Sequence, residues 1–301
     1  MGTASASVRV RHAEHVMGTV VSFDVPAAFA RVALAEVVRW LHWVDARFSP
    51  FRADSDVSRL GRGEVSLADC APEAGSVLAA CEAVAVASDG YFSASYAGRL
   101  DPSGYVKGWA IERAAALLTA AGSAGHCVNG GGDVQCVGGR GADSREPWRV
   151  GIADPQRPGS LCRVVAGTDF AVATSGVAER GTHIIDPHTG RPATGLLSVT
   201  VVGPHLSLAD AYATAAVAMG SRAARDWIGT LDGYCGFAIE ADGASWETAG
   251  FSIYGAEGPT APRGPTAPKA PSPCRYQNET RRGATGPSPP TSYSVRKLGD
   301  R

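Results

Sequence analysis

No run of roughly 18 or more apolar residues occurs in this 301-residue chain, which excludes a membrane-spanning helix. Charge of one sign is also missing. The 28 Lys+Arg face 29 Asp+Glu, a net of −1, which argues against a strongly basic nucleic-acid binder. The seven cysteines, at 70, 81, 127, 136, 162, 235 and 274, include no CxxC pair. An odd count without such pairs makes a poor disulfide framework and a poor zinc site, so most are expected to be small buried thiols in a reducing compartment. The seven histidines never take the HExxH spacing. The N-terminal MGTASASVRVRHAEHV holds no apolar stretch of the signal-peptide kind. Ala6 also stands where a myristoylation pattern needs Ser or Thr. A cytoplasmic location is the resulting expectation; a periplasmic or membrane-anchored one would require an incomplete start.

What is present is a globular composition, 45% apolar and 19% charged, long enough for one large domain or two small ones. The near-zero charge is an average over unlike parts. From Tyr254 onward eight basic residues meet three acidic ones, so the tail carries +5 and the preceding residues −6. Nine of the 19 prolines also fall in the last 48 residues, six of them within GPTAPRGPTAPKAPSP. Missing backbone donors and few apolar anchors predict a polyproline-like or disordered tail over 254–301, behind a catalytic domain of 1–253.

Within 1–253, TVVSFDV at 19–25 alternates as a strand, and residues 28–48 place Val37, Val38, Leu41, Val44 and Phe48 at helical spacing. Further helices are expected from about Pro72 through Val84, after Gly104, and over Leu208–Leu231. Short β-type runs fall at 127–129, 134–137, 148–152, 170–174, 199–202 and 237–240. Strands and helices lack a regular βαβ rhythm, so the fold class is α+β.

Four segments carry chemistry. His15-Val-Met-Gly-Thr19 leads into a strand and, alone, reads as an ordinary turn. In Asp101-Pro-Ser-Gly-Tyr-Val-Lys-Gly-Trp-Ala110 a tight turn opens a helix, whose free N–H groups and Lys107 suit a phosphate. The plain alternative is a solvated helix start capped by Asp or Ser. Asn129-Gly-Gly-Gly-Asp133 lets backbone approach a ligand closely or forms a hairpin turn; it is neither GxGxxG nor a P-loop. The fourth segment, His183-Ile-Ile-Asp-Pro-His-Thr-Gly190, precedes Ser207-Leu-Ala-Asp-Ala-Tyr-Ala-Thr214. Asp210 and Thr214, four apart on a helix, share a face and offer oxygen ligands to a cation such as Mg²⁺. Equally, Ser207-x-x-Asp210 has the form of a capping box, with Asp210 serving the helix end.

Taken in order, these segments resemble the FAD:protein FMN transferase (ApbE-type) family over roughly residues 12–251. The resemblance includes HVMGT, the run from Phe48 to Leu60, SDGYF at 88–92, DPSGYVKGWAIERA, VNGGGD, ATSG at 173–176, HIIDPHTGRP, ADAYATAAVAMG and Thr248-Ala-Gly-Phe251. It implies a Mg²⁺-dependent enzyme that binds FAD and moves its FMN half onto a Ser or Thr hydroxyl of a partner flavoprotein, releasing AMP. By position it implies that Met17, Phe51, Tyr91 and Phe92 line the flavin or adenine site, with Ser93 beside them. Asp101, Lys107 and Ile184 also touch FAD. The metal then lies between Asp210, Thr214 and the Gly104 carbonyl, and His183 is the base for the attacking hydroxyl. Two positions depart from the family pattern: Phe51 replaces a tyrosine and Ser93 an aspartate. The family's periplasmic members carry a lipoprotein signal that is not readable here. FAD hydrolysis to FMN and AMP, or flavin binding without catalysis, are the alternative activities.

Overall fold

A computed structural model describes residues 8–96, 98–140, 146–176 and 184–255. In chain order the elements are β1 (Arg9–Val16), β2 (Thr19–Pro26), α1 (Ala27–Phe48), α2 (Asp56–Gly61), α3 (Glu73–Ala87), β3 (Ser95–Tyr96), β4 (Arg99–Leu100) and α4 (Ser103–Ala120). Then follow β5 (His126–Gly130), β6 (Asp133–Val137), β7 (Trp148–Ala153), β8 (Leu161–Gly167), β9 (Phe170–Gly176), β10 (Ile185–Asp186), β11 (Arg191–Pro192) and β12 (Leu196–Gly203). The chain continues through α5 (Leu206–Met219), α6 (Ser221–Ile228), β13 (Cys235–Glu240) and β14 (Ser245–Glu247). This is the expected α+β class.

The centre is an eight-stranded sheet in the order β1-β2-β5-β6-β9-β12-β13-β14, antiparallel throughout. Period-two alternation gives it two different faces. Val21, Phe23 and Val25 of β2 and Val128 of β5 point into a core shared with α1, α4 and α5. Cys136 and Val134 of β6, Val172 of β9 and Phe237 of β13 point the other way, against Trp148, Ile152 and Val165 of the β7–β8 hairpin. Tyr254 stacks on Phe170 in that second core, and Gly255 bridges to Val165. Helix α4 is apolar on several sides because it lies between layers: α1 clasps it through Trp40, whose indole N–H donates to the Ala110 carbonyl at 3.0 Å.

Sequence periodicity located α1 to within a residue, and it located the start of α4. It erred at the last helix. The run expected over 208–231 is two helices, because Gly220 adopts φ +78° and breaks the helical path between α5 and α6. Strands β1 and β8 and helix α2 were also not anticipated. Strand β1 runs along the sheet edge, where only Val16 is buried and apolar alternation is weak.

One core residue has a pH-dependent consequence. His126 on β5 is fully buried; its Nε2–H donates to the Ala115 carbonyl at 2.9 Å, leaving Nδ1 to accept from the Ser123 hydroxyl at 3.1 Å. Burial pushes its pKa down from 6.5 to about 4. The unfolded chain therefore binds a proton that the folded chain refuses between those values. Stability is full above pH 6.5 and declines as pH falls toward 4, by about 3 kcal/mol from this group. Urea midpoints at pH 7 and pH 4.5 check this: His126→Gln should lose less stability on acidification than the native chain. An identical loss in both would reject the assignment.

Candidate functional site

The site grows from a close crossing of α4 and α5. At Gly108 a Cβ would lie 2.5 Å from the Leu206 carbonyl oxygen and 2.9 Å from Asp210 Cβ. Only glycine permits that approach. The nearness lets Asp210, 2% exposed within α5, reach the α4 backbone, where its Oδ2 accepts the Gly108 N–H at 3.0 Å. In a regular helix that amide would serve the Gly104 carbonyl, four residues earlier. A carboxylate competing for the amide leaves that carbonyl with acceptor capacity.

Asp210 therefore does not act as a cap. Helix α5 begins at Leu206, and its first amides are served by other elements: Gln135 Oε1 of β6 accepts the Leu206 N–H at 3.2 Å, and Glu112 of α4 accepts the Ser207 N–H at 2.9 Å and the Ser207 hydroxyl at 2.7 Å. The capping-box alternative fails because Asp210 already lies inside the helix, with its carboxylate turned toward α4. At the start of α4 the N-cap is Pro102 and neither Asp nor Ser fills that position; Asp101, one residue before it, accepts the Ser103 N–H on Oδ1 at 3.1 Å.

Lys107 is not a solvated first-turn charge. Its ammonium lies 3.3 Å from Asp210 Oδ1 and pairs closely with Asp133 Oδ2. Asp133 is 1% exposed and fixed from its other oxygen, which accepts the Thr174 N–H at 3.0 Å. Lys107 thus lies between two buried carboxylates, and the ammonium holds both in place at the crossing. Asp133 is the functional candidate that sequence reasoning passed over. The signal was present as the last residue of NGGGD. Gly131 (φ +63°) and Gly132 (φ +94°) build the hairpin turn, and the turn delivers Asp133 to α4.

Thr214 completes the oxygen set. Its hydroxyl is 3.2 Å from that of Ser175 at the end of β9, and a Cβ added at Gly104 would stand 3.5 Å from Thr214 Oγ1. Gly104, Lys107, Asp210 and Thr214 are thus brought together. A carboxylate, a hydroxyl and a backbone carbonyl form a hard-cation donor set, and the missing Gly104 side chain keeps the space between them open. Among the described residues no cluster of three or more His, Cys, Asp or Glu side chains could hold a metal. The set here relies on one carboxylate plus neutral oxygens.

The expected flavin-contact residues are distributed more widely. Phe92 is buried beside Gly104, with its ring edge 3.2 Å from where a Gly104 Cβ would be. The Tyr91 ring meets that of His188 edge-on at 4.5 Å, and His188 Nε2–H donates to the Asp89 carbonyl at 2.9 Å. The HIIDPHTG segment is thereby tied to SDGYF. Ile184 is buried, and its carbonyl accepts the Ala193 N–H at 2.9 Å. Ser93 spends its hydroxyl locally on Ser95. Met17 (φ +54°) forms the β1–β2 turn and lines an open hollow of about 570 Å³ with His15, Thr19 and Asp45. Phe51 is 83% exposed, with the Arg99 guanidinium 5.7 Å from its ring centre. His183 lies outside the described residues.

Comparison with known proteins adds three findings. The model of the ApbE family matches residues 17–98 and 93–236. Among curated relatives, a protein of Rhodobacter capsulatus named FAD:protein FMN transferase is 41% identical over 143 residues, 45% of this chain and 26% of that protein. One of the same name from Salmonella typhimurium is 31% identical over 160 residues, 50% of this chain and 45% of its own. The matched segments thus span less than half the length of these relatives. Among solved structures, the flavin transferase ApbE from Vibrio cholerae superposes with a TM-score of 0.72 at 22% identity, over 83% of this chain and 100% of that one. The ApbE protein of Thermotoga maritima gives 0.74 at 23% identity, with the same coverage. At that identity the superpositions establish the fold.

Proposed function

This chain belongs to the ApbE family, and on that premise we propose that it transfers the FMN half of FAD to a Ser or Thr hydroxyl of an acceptor flavoprotein, releasing AMP. The observation that carries this reading is the convergence of Lys107, Asp133, Asp210, Thr214 and Gly104 where α4 and α5 cross. Attack on a pyrophosphate requires charge neutralisation and positioning more than covalent help from the protein. Relatives named FAD:protein FMN transferase supply the flavin chemistry.

Asp210, Thr214 and the Gly104 carbonyl would hold Mg²⁺, which when bound supplies positive charge to the pyrophosphate oxygens. The rest falls to the chain. Lys107, restrained by Asp133, presents a fixed ammonium beside that set in the second turn of α4, just past the helix start whose free N–H groups favour an anion. Phe92, Tyr91, Met17 and Phe51 would offer aromatic or apolar surface to the flavin or adenine rings, and Asp101 and Ile184 would add further contacts to FAD. His183 takes the proton from the attacking hydroxyl, whose own pKa is far above neutrality.

The deciding experiment incubates the protein with FAD, Mg²⁺ and an acceptor carrying a D-x-x-[ST]-G-A-[ST] segment. The expected result is an acceptor that stays fluorescent after denaturation, with AMP released in step. AMP released equally without acceptor would replace transfer by hydrolysis, and FAD binding with no AMP would remove catalysis altogether. In the same assay His183→Ala should lower turnover about 10²-fold, the low end for a general base, because electrostatics supply most of phosphoryl-transfer catalysis. Its FAD affinity, read by flavin fluorescence quenching, should be unchanged. Undiminished turnover would remove the base assignment.

A further inference from the structure

The hairpin that carries Asp133 also sets two cysteines against each other. Gly131 and Gly132, both at positive φ, make its two-residue turn, so Gly130 and Asp133 are a hydrogen-bonded pair. Hydrogen-bonded and non-hydrogen-bonded pairs alternate along an antiparallel ladder. Counting back from the turn, Asn129↔Val134 is non-hydrogen-bonded, Val128↔Gln135 is hydrogen-bonded, and Cys127↔Cys136 is again non-hydrogen-bonded. At such positions Cα atoms lie about 4.5 Å apart with side chains closest. That falls within the roughly 4.4–6.8 Å that a disulfide spans. The sulfurs bear this out: Cys136 Sγ is 3.7 Å from Cys127 Sγ, on the face that meets the β7–β8 hairpin.

The two thiols also differ in access. Cys136 is 1% exposed, whereas Cys127 is half-buried and reachable by a small oxidant. Other cysteines point to carbonyl oxygens instead: Cys70 to Ser66, Cys162 to Ile152 and Ala153, and Cys235 to Val202.

We propose that Cys127 and Cys136 form a reversible cross-strand disulfide, making this hairpin a two-electron redox-modification site for a small peroxide. The Cys127 thiolate attacks one oxygen of hydrogen peroxide, the O–O bond breaks, and hydroxide leaves to become water on taking up the thiol proton. The Cys136 sulfur then attacks the sulfenic sulfur of Cys127. The S–S bond forms, the S–O bond breaks, and a second water departs with the Cys136 proton. Two thiols and one peroxide thus give one disulfide and two waters. The bridge joins directly opposed residues of neighbouring strands, and a dithiol in excess reverses it by thiol–disulfide exchange.

The test uses the full chain, folded, exposed to hydrogen peroxide and then acid-quenched, denatured and alkylated. Alkylatable thiols should fall from seven to five, the mass should drop by two hydrogen atoms, and digestion should recover a peptide linking Cys127 to Cys136. Dithiothreitol should restore all seven, and the oxidised protein should melt a few degrees higher because its denatured state is constrained. Cys136→Ser should keep its remaining six thiols after brief oxidation. If that buried substitution misfolds, Cys127→Ala at the half-buried position gives the same readout. Seven free thiols at every oxidant level, a bridge to another cysteine or another chain, or a Cys127 that goes on to sulfinic acid unbridged would each overturn the proposal.

Discussion

Asp210→Asn is expected to lower FMN transfer at least about 10³-fold at saturating FAD while the protein remains folded. Asparagine keeps a carbonyl oxygen that can accept the Gly108 N–H, so the α4–α5 contact survives. Lys107 likewise keeps Asp133. What disappears is one negative charge at the only carboxylate of the proposed Mg²⁺ set. That carboxylate is the one anionic ligand of the set, and without it a divalent cation loses its strongest donor. The loss should appear in turnover and in Mn²⁺ affinity measured directly by electron paramagnetic resonance, with the melting temperature little changed. Turnover within tenfold of the native chain, with Mn²⁺ still bound, would end the metal assignment.

Gly108→Ala adds a single methyl group and should nonetheless be among the most damaging substitutions in the molecule. The new carbon would sit 2.5 Å from the Leu206 carbonyl oxygen, and that atom is backbone, unable to swing aside. Relief requires the two helices to separate. Overpacking of this kind typically costs about 1–3 kcal/mol, and the rigid backbone here places it at about 3 kcal/mol. Separation also carries Asp210 away from the α4 amide and from Lys107, so transfer activity should fall together with stability. A urea titration and the transfer assay on one preparation check both. A native midpoint with native turnover would mean that the crossing is looser than described.

Asp210 shows what local sequence can and cannot say. Its four-residue spacing from Thr214 correctly placed both on one helix face, because helix geometry is local. The same stretch also matched a capping box, and nothing within it could choose between the two. The choice came from Glu112, far away in sequence, which serves the α5 terminus and releases Asp210 to face α4. Lys107 is a similar case. Its place near the start of α4 was legible, one turn further in than expected, but its pairing with Asp133 depends on a hairpin from another part of the sheet. The final helix was misjudged for a different reason: helix-forming residues stand on both sides of Gly220, and a single glycine between them is compatible with a continuous helix until its positive φ is seen.

By itself, then, the sequence determined the α+β class, the amphipathic helix α1, the tight Gly-Gly turn and the order of family motifs. All of these rest on interactions among residues near one another in the chain. The tertiary structure decided which charges meet. It set Asp133 and Asp210 around Lys107, turned Asp210 from cap to cross-helix acceptor, and placed Cys127 opposite Cys136. Those pairings depend on how closely two helices can approach and on the register of two strands. Both are fixed only when separate segments pack, through an absent side chain at Gly108 and two left-handed glycines at 131 and 132.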